Sequence, residues 1–205
     1  MMMTMKKTSI LDRLLLLATG ILAAYQVAVG IEGLGTLAIL CYTIAFGVLL
    51  IAGLLLIIFS LEILDNPLVV VVAAIIPLSL SLGLVVEYLP ALGTVYQVFV
   101  TLGLLAIAVT RYVTPGTIAT VVLSVVHGIA GLLIVGLPIL LSLRGRAPAG
   151  FALVGVGGAL IGLGGLLLAF LQAGKPMLSK ETIYTILPGL LLLMTAAFVA
   201  GFALA

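Results

Sequence analysis

Seven stretches of this chain, residues 14–31, 33–61, 66–86, 88–110, 112–143, 147–174 and 182–205, contain no Lys, Arg, Asp or Glu. The shortest holds 18 residues. A helix rises about 1.5 Å per residue and a bilayer's hydrocarbon is about 30 Å thick, so about 20 apolar residues cross it. Every stretch is near or above that length. The pattern predicts an all-α integral membrane protein, a single transmembrane domain over residues 1–205 with seven spanning helices. Their expected bounds are about 11–31, 34–62, 67–88, 91–111, 115–143, 148–172 and 182–204.

Proline supports that division. Pro67, Pro90, Pro115, Pro148 and Pro176 fall at helix starts or in the gaps, where a missing N–H costs little. Pro77, Pro138 and Pro188 lie inside expected helices, where each frees a carbonyl and favours a kink. Although Lys6 and Lys7 precede an apolar stretch, as in a secretory signal, no clean small-x-small site follows and Asp12 and Arg13 interrupt the approach. The first stretch is therefore read as a spanning helix.

With 7% charged residues and a mean hydropathy of +1.55, the chain has no place for a soluble domain. Its few basic residues are scattered at helix ends, a distribution that excludes a nucleic-acid surface. They report orientation instead. A cytoplasmic N-terminus puts Lys6, Lys7, Arg13, Arg111, Lys175 and Lys180 inside and Arg144 and Arg146 outside, which favours N-in, C-out. Cys41 is the only cysteine, so an intrachain disulfide or a cysteine metal site is excluded.

Sliding the chain by 111 residues superposes Gly47 on Gly158, Gly53 on Gly164, Phe59 on Phe170 and Pro77 on Pro188, with Gly20 falling on Gly131. Nine of the 34 positions from 47 to 80 are identical to their counterparts. The expectation is a pseudo-repeat in which helices 1–3 match helices 5–7 in the same orientation, with helix 4 between. That 3+1+3 plan resembles the SWEET and PQ-loop sugar transporters in architecture, although the Pro-Gln dipeptide that names the second group occurs nowhere in the chain. The other familiar seven-helix plan, microbial rhodopsin, fails because residues 182–204 offer no Lys for a retinal Schiff base.

Polar and small residues line up at packing period. On helix 5, Thr117, Thr120, Ser124, His127 and Gly131 form one stripe; on helix 6, Gly155, Gly158, Gly162, Gly165, Ala169 and Gln172 form another, a small-residue seam for close helix packing. Helix 1 carries Thr19, Ala23, Gln26 and Gly30, and helix 4 carries Thr94, Gln97, Thr101 and Ala108. A primary amide with no partner is expensive in lipid, so Gln26 and Gln97 must each meet another helix, water or a ligand. His127 is the only histidine and the only group in these stretches that titrates near neutral pH. It is either bonded to a neighbouring helix, part of a solute or proton path, or, least in favour, a haem ligand with Met194 as the sole candidate for a second axial position.

No metal-ligand cluster, carboxylate pair or oriented nucleophile lies in the membrane stretches, so neither catalysis nor a cofactor is expected. Two functions remain. The favoured one, because the stripes are polar on several helices rather than merely small, is a carrier or facilitator for a small neutral or weakly polar solute, with Gln26, Gln97, Thr120, Ser124 and His127 lining its path. The other is a structural or assembly subunit of a membrane complex, whose stripes serve helix contacts. The expected partners are the bilayer, in the cell membrane, and a further copy of the chain or another subunit. Convergence of Gln26, Gln97 and His127 on one hydrated cavity would favour the carrier.

Overall fold

A computed structural model describes residues 9–172 and 177–205; of Asp65, Ala169 and Gln172 only the backbone is described. Lys6, Lys7, Lys175 and Pro176, and the side chains that end the helix 6 stripe, lie outside the described residues. Among the described residues are seven helices long and apolar enough to cross a membrane. They are α1 (Ile10–Val29), α2 (Thr36–Phe59), α3 (Pro67–Tyr88), α4 (Gly93–Val113), α5 (Thr117–Leu143), α6 (Ala152–Gln172) and α7 (Lys180–Ala203).

Local chemistry sets the ends. Ser9 and Asp12 close a reciprocal cap on α1, each side chain accepting from the other's backbone N–H at 3.1 and 2.9 Å. Gly30, at φ 73, ends that helix. α2 stops at Phe59, short of the expected 62, because Ser60 takes φ 65 and turns the chain into a 3₁₀ segment, Leu61–Asp65. Asn66 accepts the Leu68 N–H at 2.9 Å and Pro67 opens α3, as expected for a residue lacking the N–H. Ser179 accepts the Thr182 N–H at 3.1 Å, so α7 begins at Lys180, two residues before the expected 182. Lys180 therefore belongs to the last helix, but at its very start and not at mid-membrane.

Six helices close a ring in the order α1, α2, α3, α5, α6, α7 and back to α1. α4 stands outside it, in the groove between α3 and α5. One apolar cluster fills the middle of the ring and takes residues from every ring helix, including Ala23, Phe46, Leu80, Ile134, Val154 and Phe198. Aromatic side chains dominate it. Tyr42 meets Phe202 at 4.6 Å between centroids, and Phe46 meets Phe198 edge-on at 6.4 Å. α4 joins through smaller clusters, with Ile107 against Ala74, Leu78, Val126 and Ala130, and Tyr96 against Cys41 and Val85.

The bundle end that carries the C-terminus is stitched across the chain. The Glu87 carboxylate accepts the Gly35 N–H at 2.9 Å, so the end of α3 caps the start of α2 with a charge of the favourable sign. Tyr88 packs on Phe151 at 5.2 Å, and Gly150 lies against Leu204. Close backbone approaches tie α6 to both neighbours. A methyl at Gly155 would sit 2.7 Å from the Val135 carbonyl, and one at Gly201 2.6 Å from the Val154 backbone nitrogen.

The helix 6 seam thus splits. Gly155 and Gly158 are buried against Ile134, Val135 and Ile139 of α5, whereas Gly162 and Gly165 are exposed and a methyl there would meet nothing within 4 Å. Gly128 and Gly131 of α5 face equally open space. α5 and α6 therefore meet near the C-terminal end of the bundle and fork apart toward the other. Replacing Gly155 with Ala should cost about 1–3 kcal/mol by overpacking. Gly162→Ala should be neutral or up to about 1 kcal/mol stabilising, from helix propensity alone. Thermal unfolding of the two variants in detergent, side by side, checks the fork.

Candidate functional site

Gln26 is the most enclosed of the polar candidates, 6% exposed on the face of α1 turned to α2. Its Nε2 donates to the Gly30 carbonyl at 2.8 Å, and the Gly30 N–H donates to the Gln26 carbonyl at 3.0 Å. The side chain thus closes the end of its own helix, satisfying a carbonyl that no further turn can reach. Beside it Thr43, Tyr42 and Phe46 leave a space of ≈ 10 Å³. That is about the room of one water and too small for an organic solute. The Tyr42 hydroxyl is buried with no hydrogen-bond partner among the described residues.

Gln97 lies elsewhere. It is exposed on the outer face of α4 with Thr94 and Thr101, beside Val98 and Leu102 of the same helix. The inward face of the same turn holds Tyr96. Its hydroxyl donates to Ser81 Oγ at 2.9 Å, and Ser81 bonds back to the Pro77 carbonyl at 2.7 Å. This buried pair fastens α4 to α3 at the turn that follows the α3 proline.

On α5, Thr120 donates to the Gly116 carbonyl at 3.0 Å and is spent on its own helix, while Ser124 is exposed. His127 is half-buried on α5, with Nδ1 buried beside the backbone of Leu123 one turn earlier. Arg111, near the end of α4, lies within electrostatic reach of His127, and its own Nε is also buried without a partner. Helix 5 thus carries its polar stripe through three different surroundings.

The structure does not bring the five candidates together. Gln26 closes a helix end between α1 and α2, Gln97 faces outward from α4, and Thr120, Ser124 and His127 follow one another along α5. A stripe at period 3.5 identifies a helix face, but when lipid and protein interior are equally apolar it does not say which way that face turns. Met194, the second ligand a haem would need, is 1% exposed and taken up in the central apolar cluster. Among the described residues no group of three or more His, Cys, Asp or Glu is placed to hold a metal. Ser81, Glu87 and Arg111 went unmarked as partners in the sequence; only the interruption at Pro77 signalled that a hydroxyl one turn later would matter.

The chain matches no known protein family, no curated protein and no solved structure. Two substitutions test its hydrogen-bond assignments. Ser81→Ala leaves the Tyr96 hydroxyl buried and unpaired and should cost about 1–3 kcal/mol, most of which returns when Tyr96→Phe is added. Tyr42→Phe removes a hydroxyl that bonds none of the described residues and should leave the unfolding temperature unchanged or raised. A large loss in Tyr42→Phe would show that its hydroxyl has a partner.

Proposed function

We propose that this multi-pass membrane protein is a non-catalytic structural or assembly subunit of a complex in the cell membrane, oriented N-in and C-out. The observation that carries this is the separation of Gln26, Gln97 and His127 around a ring whose centre is filled by Phe46, Phe198, Phe202 and their neighbours. A path for a solute needs polar groups that succeed one another along the membrane normal. Here the enclosed amide is used on its own backbone and the other faces away from the ring. Apart from the buried Tyr42 hydroxyl, the unspent polar groups named above lie outside the filled centre.

A carrier or facilitator for a small neutral solute is the second reading, and one observation favours it. The ring order is unchanged when α1–α3 are exchanged with α5–α7, since the α3–α5 contact then becomes the α7–α1 contact. The same exchange carries Pro77 to Pro188, both buried inside their helices. This supports a 3+1+3 pseudo-repeat with parallel halves, the kind of plan in which one half rocks against the other. The α5–α6 fork would then be one side of an access route.

Flux separates the two. Purified protein in liposomes should leave the permeability to water, glycerol, urea and a monosaccharide at the value of protein-free vesicles, measured by stopped-flow light scattering. A saturable acceleration for any of them, lost in His127→Leu, would establish the carrier instead.

A further inference from the structure

α4 is the helix left outside the ring, and its outer face carries a polar group that no described residue satisfies. The apolar span containing it begins at Pro90, so Gln97 stands seven residues in, about 10 Å deep at about 1.5 Å per residue. The Thr101 hydroxyl donates to the Gln97 backbone carbonyl at 2.9 Å and is thereby spent. The Gln97 amide itself bonds none of the described residues. It lies on the open outer surface of α4 among Thr94, Val98, Thr101 and Leu102. Apolar side chains flank it, with Val98 53% and Leu102 60% exposed.

A primary amide carries a donor and an acceptor side by side, so it is its own complement. Copies of one chain insert in the same orientation, which makes their α4 helices parallel and allows a two-fold axis along the membrane normal. Across that axis, Nε2–H of each Gln97 can donate to Oε1 of the other, which would satisfy both amides at the same depth. The threonines beside them are small enough for two helices to approach, and Val98 and Leu102 supply the apolar knobs of such a contact. A different subunit would have to bring a matching donor and acceptor to this depth; a second copy has them by construction.

We propose that two copies of this chain pair in the membrane through the outer face of α4, each Gln97 amide being completed only by the Gln97 of the other copy. This rests on the assembly reading above and names its first partner.

Cys41 is buried and is the chain's only cysteine, so Val98→Cys adds the one accessible thiol. Oxidative cross-linking of Val98→Cys in native membranes and in proteoliposomes should yield covalent dimer. Leu132→Cys, 76% exposed on α5, reports random collision and should yield little. Adding Gln97→Leu should lower the Val98→Cys dimer about fivefold to thirtyfold, the worth of an interhelical polar pair. Gln97→Asn, which keeps the amide, should retain more of it. Gln97 is exposed, so the unfolding temperature of Gln97→Leu should match the parent's under conditions where both are monomeric.

Cross-linking no greater than at Leu132→Cys, or indifferent to Gln97→Leu, overturns the pairing. So does a Val98→Cys product of a different mass, formed with another protein in native membranes, although that outcome leaves the assembly reading standing. Monomer at every position together with solute flux removes both.

Discussion

Lipid offers backbone amides no hydrogen-bond partner, and the rest of this structure depends on that. A chain with 7% charge can enter the bilayer only as helices that bond themselves, which is what the seven apolar stretches become. The same constraint acts on the side chains. Thr19, Thr110, Thr120 and Thr195 each donate to a carbonyl of their own helix, and Gln26 bends back to Gly30. Polar groups buried in this bundle are mostly spent locally. The Tyr96–Ser81 bond between α4 and α3 is a side-chain bond that joins two helices.

Hydrophobic burial does not hold such helices together, because lipid is as apolar as leucine. Shape has to do it. Gly155, Gly158 and Gly201 let backbones come to distances that no Cβ would permit, and the aromatic side chains from α2 and α7 occupy the ring centre. Gly83 gives way to the Tyr42 ring, where a methyl would stand 2.6 Å from its edge. The interior taken up in this way still holds the Tyr42 hydroxyl without a partner among the described residues, while Gln97 is left open on the outside of α4 and the Arg111 Nε is buried near the end of that helix.

The number of helices, their approximate bounds and the three intramembrane prolines were legible in the residues, because charge and proline act through the backbone and leave one-dimensional marks. α3 starts and ends where Pro67 and Tyr88 say it should. Direction was not legible. The stripes on α1 and α4 read alike, with one Tyr-Gln-Val tripeptide in each, yet Gln26 turns in and Gln97 turns out. In water a polar face points outward; in lipid both sides of a helix are apolar and the pattern loses that meaning. The helix 6 seam read as six equivalent small or polar positions, but α5 covers Gly155 and Gly158 and leaves Gly162 and Gly165 open, a consequence of how two helices cross. The Glu87 cap on Gly35 joins residues 52 apart and no local motif announces it.

Whether the ring centre is closed to solvent is the claim on which the functional conclusion turns. Met194 lies 1% exposed at that centre, and Arg146 lies in the loop between α5 and α6. With Cys41 replaced by alanine, Met194→Cys should resist a membrane-impermeant thiol reagent from both sides of the folded protein in proteoliposomes, while Arg146→Cys reacts freely from one side. Reaction of Met194→Cys at a rate comparable to that of Arg146→Cys would mean that water reaches the middle of the bundle, and the filled, assembly-type interior would be wrong.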